Sequence, residues 1–185
     1  MYKRQVSISG ISKNTALTFT DSRQIDENDN PLATSYSYYY DNINRNIFSS
    51  SFSMPGTEFC KQAMAVKNPI LNVSSVLWNK NILTKYLDDS YEEIISYKVA
   101  GDWRLYVEIL CLSKHNVTYI NESLNVHRRH STSVTHSLDP VKHLEEIESI
   151  HRYISSITDI DETTQTDMKD YTNELKHQFG LKHAA

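Results

Sequence analysis

The sequence predicts a mixed α/β fold, and three observations carry that expectation. Short β-branched and aromatic segments alternate with segments of helical spacing along the first two thirds of the chain. One helix is written clearly, because Trp103, Tyr106, Val107 and Leu110 fall at i, i+3, i+4 and i+7 and form one apolar stripe. Beyond Asp139 the pattern changes to two amphipathic helices in succession.

In chain order, residues 1–13 are polar and patternless and read as a frayed end or a truncation junction. Residues 16–20, Ala-Leu-Thr-Phe-Thr, predict a strand that runs into the turn-rich residues 26–31. Residues 35–53 hold many Tyr, Asn and Ser with weak periodicity, which predicts an irregular surface segment suited to contact with a polar ligand. Phe59, Ala63 and Val66 predict a short helix that Pro69 ends, and residues 71–77 read as a half-buried strand. A short helix around Ile82, Leu83 and Tyr86 precedes an acidic loop at Asp88 and Asp89. The Trp103 helix follows, with Asp102 in its first turn, then strands at residues 117–120 and 124–126. Pro140 suits the first position of a helix capped by Asp139, with Val141, Leu144, Ile147, Ile150, Ile154 and Ile157 repeating every three to four residues. The last helix carries Met168, Tyr171, Leu175 and Phe179 on one face, and the pair reads as an appendage able to dock on this domain or on a neighbour.

Composition removes several function classes. The chain has 185 residues, one domain's worth, and its 19 Lys+Arg against 23 Asp+Glu give a net charge of −4, so no general basic field exists for nucleic acid. No apolar run approaches the ~20 residues that span a bilayer, and the N-terminus lacks the apolar core of a signal peptide. The expected compartment is the cytoplasm, with Cys60 and Cys111 as buried thiols rather than a disulfide. The four glycines are far apart, which excludes both Rossmann and P-loop phosphate cradles.

The residues that carry chemistry each admit a plainer role. Asp102 at a helix start reads as a cap for free N–H groups, or as a general base at the mouth of a cleft. Trp103 reads as core, or as a platform for a sugar face. His127, Arg128, Arg129 and His130 read as a solvated basic patch, or as a clamp in which guanidinium binds phosphate and imidazole binds a divalent cation, with Ser131, Ser133 and Thr135 adding hydroxyls. Asp159-Ile160-Asp161 is the one literal Asp-x-Asp, placed between two helices where linkers and caps belong.

The order of these segments resembles bacterial family-two glycosyltransferases. Residues 20–26 (Thr-Asp-Ser-Arg-Gln-Ile-Asp) and 68–76 (Asn-Pro-Ile-Leu-Asn-Val-Ser-Ser-Val) look like the middle of such an enzyme. Residues 100–106 (Ala-Gly-Asp-Trp-Arg-Leu-Tyr) and 119–130 look like its C-terminal half, so the resemblance covers residues 14–136, with residues 137–181 as a helical extension. It implies an incomplete GT-A-type fold with a short mixed sheet, and inversion at the anomeric carbon. Asp102 matches the family's base. Arg129 and His130 best match the motif that closes on the nucleotide diphosphate and its metal, with Arg128, Ser133 and Trp103 as further substrate contacts. A nucleotide-sugar, a glycan acceptor and a divalent metal, Mg or Mn, are the implied ligands. Residues 1–13 stand where the family has a nucleotide-binding half ending in metal carboxylates, so the expectation is an acceptor-side half that transfers sugar poorly alone. Gly101 also stands where many relatives have an acid. The rival expectation is a non-catalytic glycan-binding or assembly module.

Overall fold

A computed structural model describes residues 14–130 and 139–181 and places them in an α/β arrangement around a mixed five-stranded sheet. At its centre β1 (Thr15–Ile25) runs parallel to β5 (Asn116–Arg128). The far edge of β5 takes β3 (Phe52–Pro55) antiparallel. The other edge of β1 is shared by β4 (Val76–Trp78), which pairs Leu17 to Phe19, and β2 (Pro31–Ala33), which pairs Gln24 and Ile25. β1 is buried from Thr15 to Ser22, longer than residues 16–20 alone predict. Its polar Asp21 and Ser22 stay in the strand because Asp21 finds donors there: its carboxylate accepts from Ser22 N (2.7 Å), Tyr36 N (3.0 Å) and Ser123 Oγ (3.0 Å).

Four expectations need correction. Residues 35–53 are not irregular: Ser37–Phe48 forms helix α1, interrupted at Asn44 (φ −159°, ψ 88°), and Phe52 opens β3. Tyr40 and Phe48 are buried and stacked 4.3 Å apart, and the pair joins an aromatic core that also holds Phe19, Phe59 and Tyr119. Residues 71–77 form a 3-10 turn at Val73–Ser75 before the short β4, because the Asn72 side chain accepts from Ser74 N and closes the chain on itself. Asp88 and Asp89 lie inside helix α3 (Lys80–Ser96), just before its kink at Ser90 (φ −123°, ψ 16°), rather than in a loop. The two strands read after residue 116 are the one strand β5, whose register against β1 slips near Asp21, where Ile120 and Ser123 pair Thr20 and Asp21.

The other helices follow their stripes. Gly56–Phe59 (α2) continues as a π turn over Cys60–Met64, and α4 (Gly101–Leu112) buries Trp103, Tyr106, Val107 and Leu110 as read. Helix α5 (Pro140–Ile157) starts at Asp139, which accepts from Val141 N and Lys142 N, and α6 (Glu162–Gln178) starts at Asp161, which accepts from Thr164 N. Asp161 is therefore a cap, and its bonds to Thr164 hold its carboxyl below the usual range. Leu144, Ile147, Ile150, Ile154, Met168 and Leu175 join the same buried core as the sheet. Both cysteines are buried free thiols. Among the described residues no helix is long and apolar enough to cross a membrane.

Gly56 marks the tightest joint. Its N–H donates to His115 O (2.9 Å), and a Cβ there would stand 2.5 Å from Leu110 O and 2.9 Å from His115 O. Both are backbone atoms, so α2, the end of α4 and the start of β5 would have to move apart. Gly56→Ala is expected to cost about 1–3 kcal/mol, the usual scale for overpacking, measured as a lower urea midpoint with unchanged slope.

Candidate functional site

The end of β5, the start of α4 and the C-terminal helices meet around one cleft of about 320 Å³, at the lower end of the ~300–1,000 Å³ of small-molecule sites. Asp102 and Trp103 line it from α4, and His127, Arg128, Arg129 and His130 line it from β5 and the residues just after. The fold thus brings together the two features that sequence singled out, 25 or more positions apart in the chain.

Asp102 is half-buried, with protein around most of the carboxyl and one face on the cleft. It is not the cap of α4: Ala100 holds that position and offers no side-chain bond. Its Oδ1 accepts from Trp103 N at 2.7 Å. Burial pushes the carboxyl up to about 6, against the opposing pull of the Trp103 and Asp102 backbone N–H groups. The residues that hold its turn come from elsewhere. Glu146, on α5, accepts from Lys98 N (2.7 Å), Val99 N (2.9 Å) and Ala100 N (3.0 Å).

The basic run divides its labour. The strand carries His127 and Arg128 to opposite sides. Arg128 turns to the β1–β2 connection, where its guanidinium donates to Asp29 Oδ1 (2.6 Å) and Asp26 O (3.0 Å). That engages much of its fork, so it bounds the cleft with fewer donors left for a ligand. His127 is half-buried with Nδ1 against the Tyr36 hydroxyl, and burial, with Arg129 and His130 nearby, lowers its pKa. Burial also pushes Tyr36 up to about 12, opposed by Arg129, which reaches the same oxygen. Tyr36 and His127 thus share one hydrogen bond at the wall of the cleft, with Arg129 beside it. Arg129 and His130 are exposed at the cleft. Ser133, with Ser131 and Thr135, lies outside the described residues.

Trp103 is 2% exposed and donates its indole N–H to Met64 O at 3.1 Å. It is a wall of the cleft whose polar group is already satisfied. Sequence placed Tyr171 and Ile147 only on helix faces, and Tyr36 and Tyr39 only within the Tyr-rich segment, and all four line this space. Tyr39 donates to Asn68 O (3.1 Å), and Lys67 sits over its ring at 4.5 Å. The C-terminal helices therefore close the site with Ile147 and Tyr171 as well as packing on the domain.

The donor set does not make a metal centre by itself. Among the described residues no three His, Cys, Asp or Glu side chains converge, and His127 commits Nδ1 to Tyr36. His130 alone is a poor match for Mg²⁺ or Mn²⁺, which favour several oxygen ligands. Comparison with known protein families, with curated proteins and with solved structures finds no match.

Proposed function

We propose that the cleft is the acceptor-side site of an inverting glycosyltransferase of the family-two type, with Asp102 as its general base. The observation that supports this reading is the convergence of a half-buried carboxyl, raised to about 6, with the exposed Arg129 and His130 on one concave surface. A base near 6 is ionised at neutral pH and still has real proton affinity, which is the compromise general base catalysis needs.

In the proposed step an acceptor hydroxyl lies against Asp102, which takes its proton as the oxygen attacks the anomeric carbon of a nucleotide-sugar. The bond from that carbon to the diphosphate oxygen breaks, its electron pair leaves with the diphosphate, and the configuration inverts. Arg129 supplies positive charge, and Arg129 and His130 supply N–H donors, to the departing diphosphate. Trp103 and Ile147 keep the base's surroundings dry, and Tyr36, Tyr39 and Tyr171 give the acceptor aromatic faces. The nucleoside and the divalent cation are assigned to a donor-binding half acting with these residues.

The test combines the chain with a donor-binding half of the same family and measures transfer from nucleotide-sugars to glycan acceptors. The expected result is transfer that Arg129→Ala reduces about 10²-fold, the scale of one lost electrostatic contact to a leaving group. Glycan binding without transfer in any such pairing would replace this reading with a non-catalytic binding module.

A further inference from the structure

We propose that Glu146 is a positioning residue for Asp102, a role that rests on the reading of Asp102 as the base. One carboxylate on α5 accepts three consecutive backbone N–H groups, from Lys98, Val99 and Ala100, at 2.7–3.0 Å. Those residues form the turn that delivers Gly101 and Asp102 into α4. A carboxylate with several N–H donors is a strong, directional clamp, because each bond is charge-assisted.

The turn is fixed from its other sides as well. The Tyr97 hydroxyl pairs with Ser149 Oγ at 2.9 Å, again on α5. Gly101 lies so close to α3 that a Cβ would stand 2.9 Å from Ile94 O. Ala100 O accepts from Arg104 N (2.9 Å), which starts the helix. Among the described residues Glu146 is the one side chain that ties three N–H groups of this turn to the C-terminal helices, and its neighbour Ile147 lines the cleft. Loosening the clamp lets the turn open and water reach the Asp102 carboxyl.

Glu146→Asp tests this, because it keeps the charge and withdraws the carboxylate by one methylene. Tyr39 and Tyr106 feel the Asp102 charge directly, and the other titratable and charged side chains on the same cleft are Tyr36, Tyr171, His127, Arg128, Arg129 and His130. None is altered in the variant. The ionisation of Asp102 is followed by carboxyl-carbon NMR in the whole chain, with Asp102→Asn identifying the resonance. The expected result is a fall in its midpoint of about one pH unit, a tenfold change in the ionisation constant, toward the ordinary aspartate range. Glu148→Gln, which removes a salt bridge to Lys176 from the same helix, should leave the midpoint where it is.

A midpoint unmoved in folded Glu146→Asp would overturn the proposal and leave Glu146 as a helix tether. If Glu146→Asp does not fold, Glu146→Gln carries the same comparison, its folding checked by amide NMR dispersion. In the assembled enzyme the expected companion effect is a lower kcat with KM little changed. A midpoint that moves while no pairing transfers sugar keeps the clamp and sinks the glycosyltransferase reading. Transfer with an unmoved midpoint does the reverse.

Discussion

Asp102→Asn is expected to stabilise the fold at neutral pH and, under the proposed base role, to abolish most sugar transfer. Removing a general base typically costs about 10²–10⁴-fold in rate, and under the same proposal the remaining activity loses the rise with pH through about 6, where Asp102 ionises. The stability effect has the opposite sign and needs no substrate. An aspartate of ordinary pKa 3.8 in the unfolded chain sits at about 6 in the folded one, so the native state binds the proton more tightly. Stability therefore falls as pH rises from below 4 through 6, and above 6 the full cost of holding the ion in a desolvated site is present. At about 1.4 kcal/mol per pH unit, and allowing for the face open to the cleft, that cost is about 1–3 kcal/mol. Asparagine keeps the acceptor for Trp103 N and carries no charge. Urea unfolding of the two proteins should agree near pH 4 and differ by that amount at pH 7.5, the variant being the more stable. Equal stability at both pH values would mean that Asp102 is solvated like any surface carboxylate, and the case for a tuned base would go with it. A residue that weakens the fold and serves the chemistry is the pattern expected of an active site.

How much of this was legible depended on whether a residue's partners were local. The helix of Trp103, Tyr106, Val107 and Leu110 was readable because its buried stripe repeats within one element. Helix α1 was not, since its buried Tyr40 and Phe48 stand among Asn, Asp and Ser of modest helix propensity and its backbone breaks at Asn44. Helix α3 was legible only in its first turns, around Ile82, Leu83 and Tyr86: none of its residues is fully buried, so Asp88 and Asp89 looked like a loop when they are a solvated face. In the site, Asp102, Arg129 and His130 were legible as residue types that carry chemistry. Glu146 was not, because on an amphipathic helix an acid off the stripe reads as solvent-facing. Its partners are 46 to 48 positions away, and nothing in the pattern announces them. Arg128 shows the converse, a residue of the right type whose guanidinium the β1–β2 turn engages. The basic run becomes selective only in three dimensions.

The largest loss of stability is expected from Arg104, two residues beyond Asp102 on α4. It is 2% exposed, and its guanidinium takes both carboxylate oxygens of Glu93 on α3 (3.2 and 3.0 Å), pairs with Glu108 one turn along, and stacks 3.4 Å from the centre of the Tyr153 ring on α5. Glu108 is itself buried, and Ser90, at the kink of α3, donates to it. The charge of Arg104 thus holds three helices together, buried with Glu108 on one side and reaching the exposed Glu93 on the other. Arg104→Ala strands the Glu108 carboxylate with only hydroxyl partners and should cost about 3–5 kcal/mol, the range for breaking a buried pair from one side. Removing both ends, as Arg104→Met with Glu108→Leu, should recover much of that loss, since the cost lies in the unpaired ion rather than in the absence of the pair. Arg104→Lys should fall between, because an ammonium keeps the charge but cannot fork to Glu93 and Glu108 together or stack on Tyr153. The double-mutant cycle, read by urea unfolding at pH 7, decides the matter: simple additivity would show that Arg104 acts through packing alone. A coupling of several kcal/mol would identify the ion cluster as the joint that keeps α3, α4 and α5, and with them the Asp102 turn, in register.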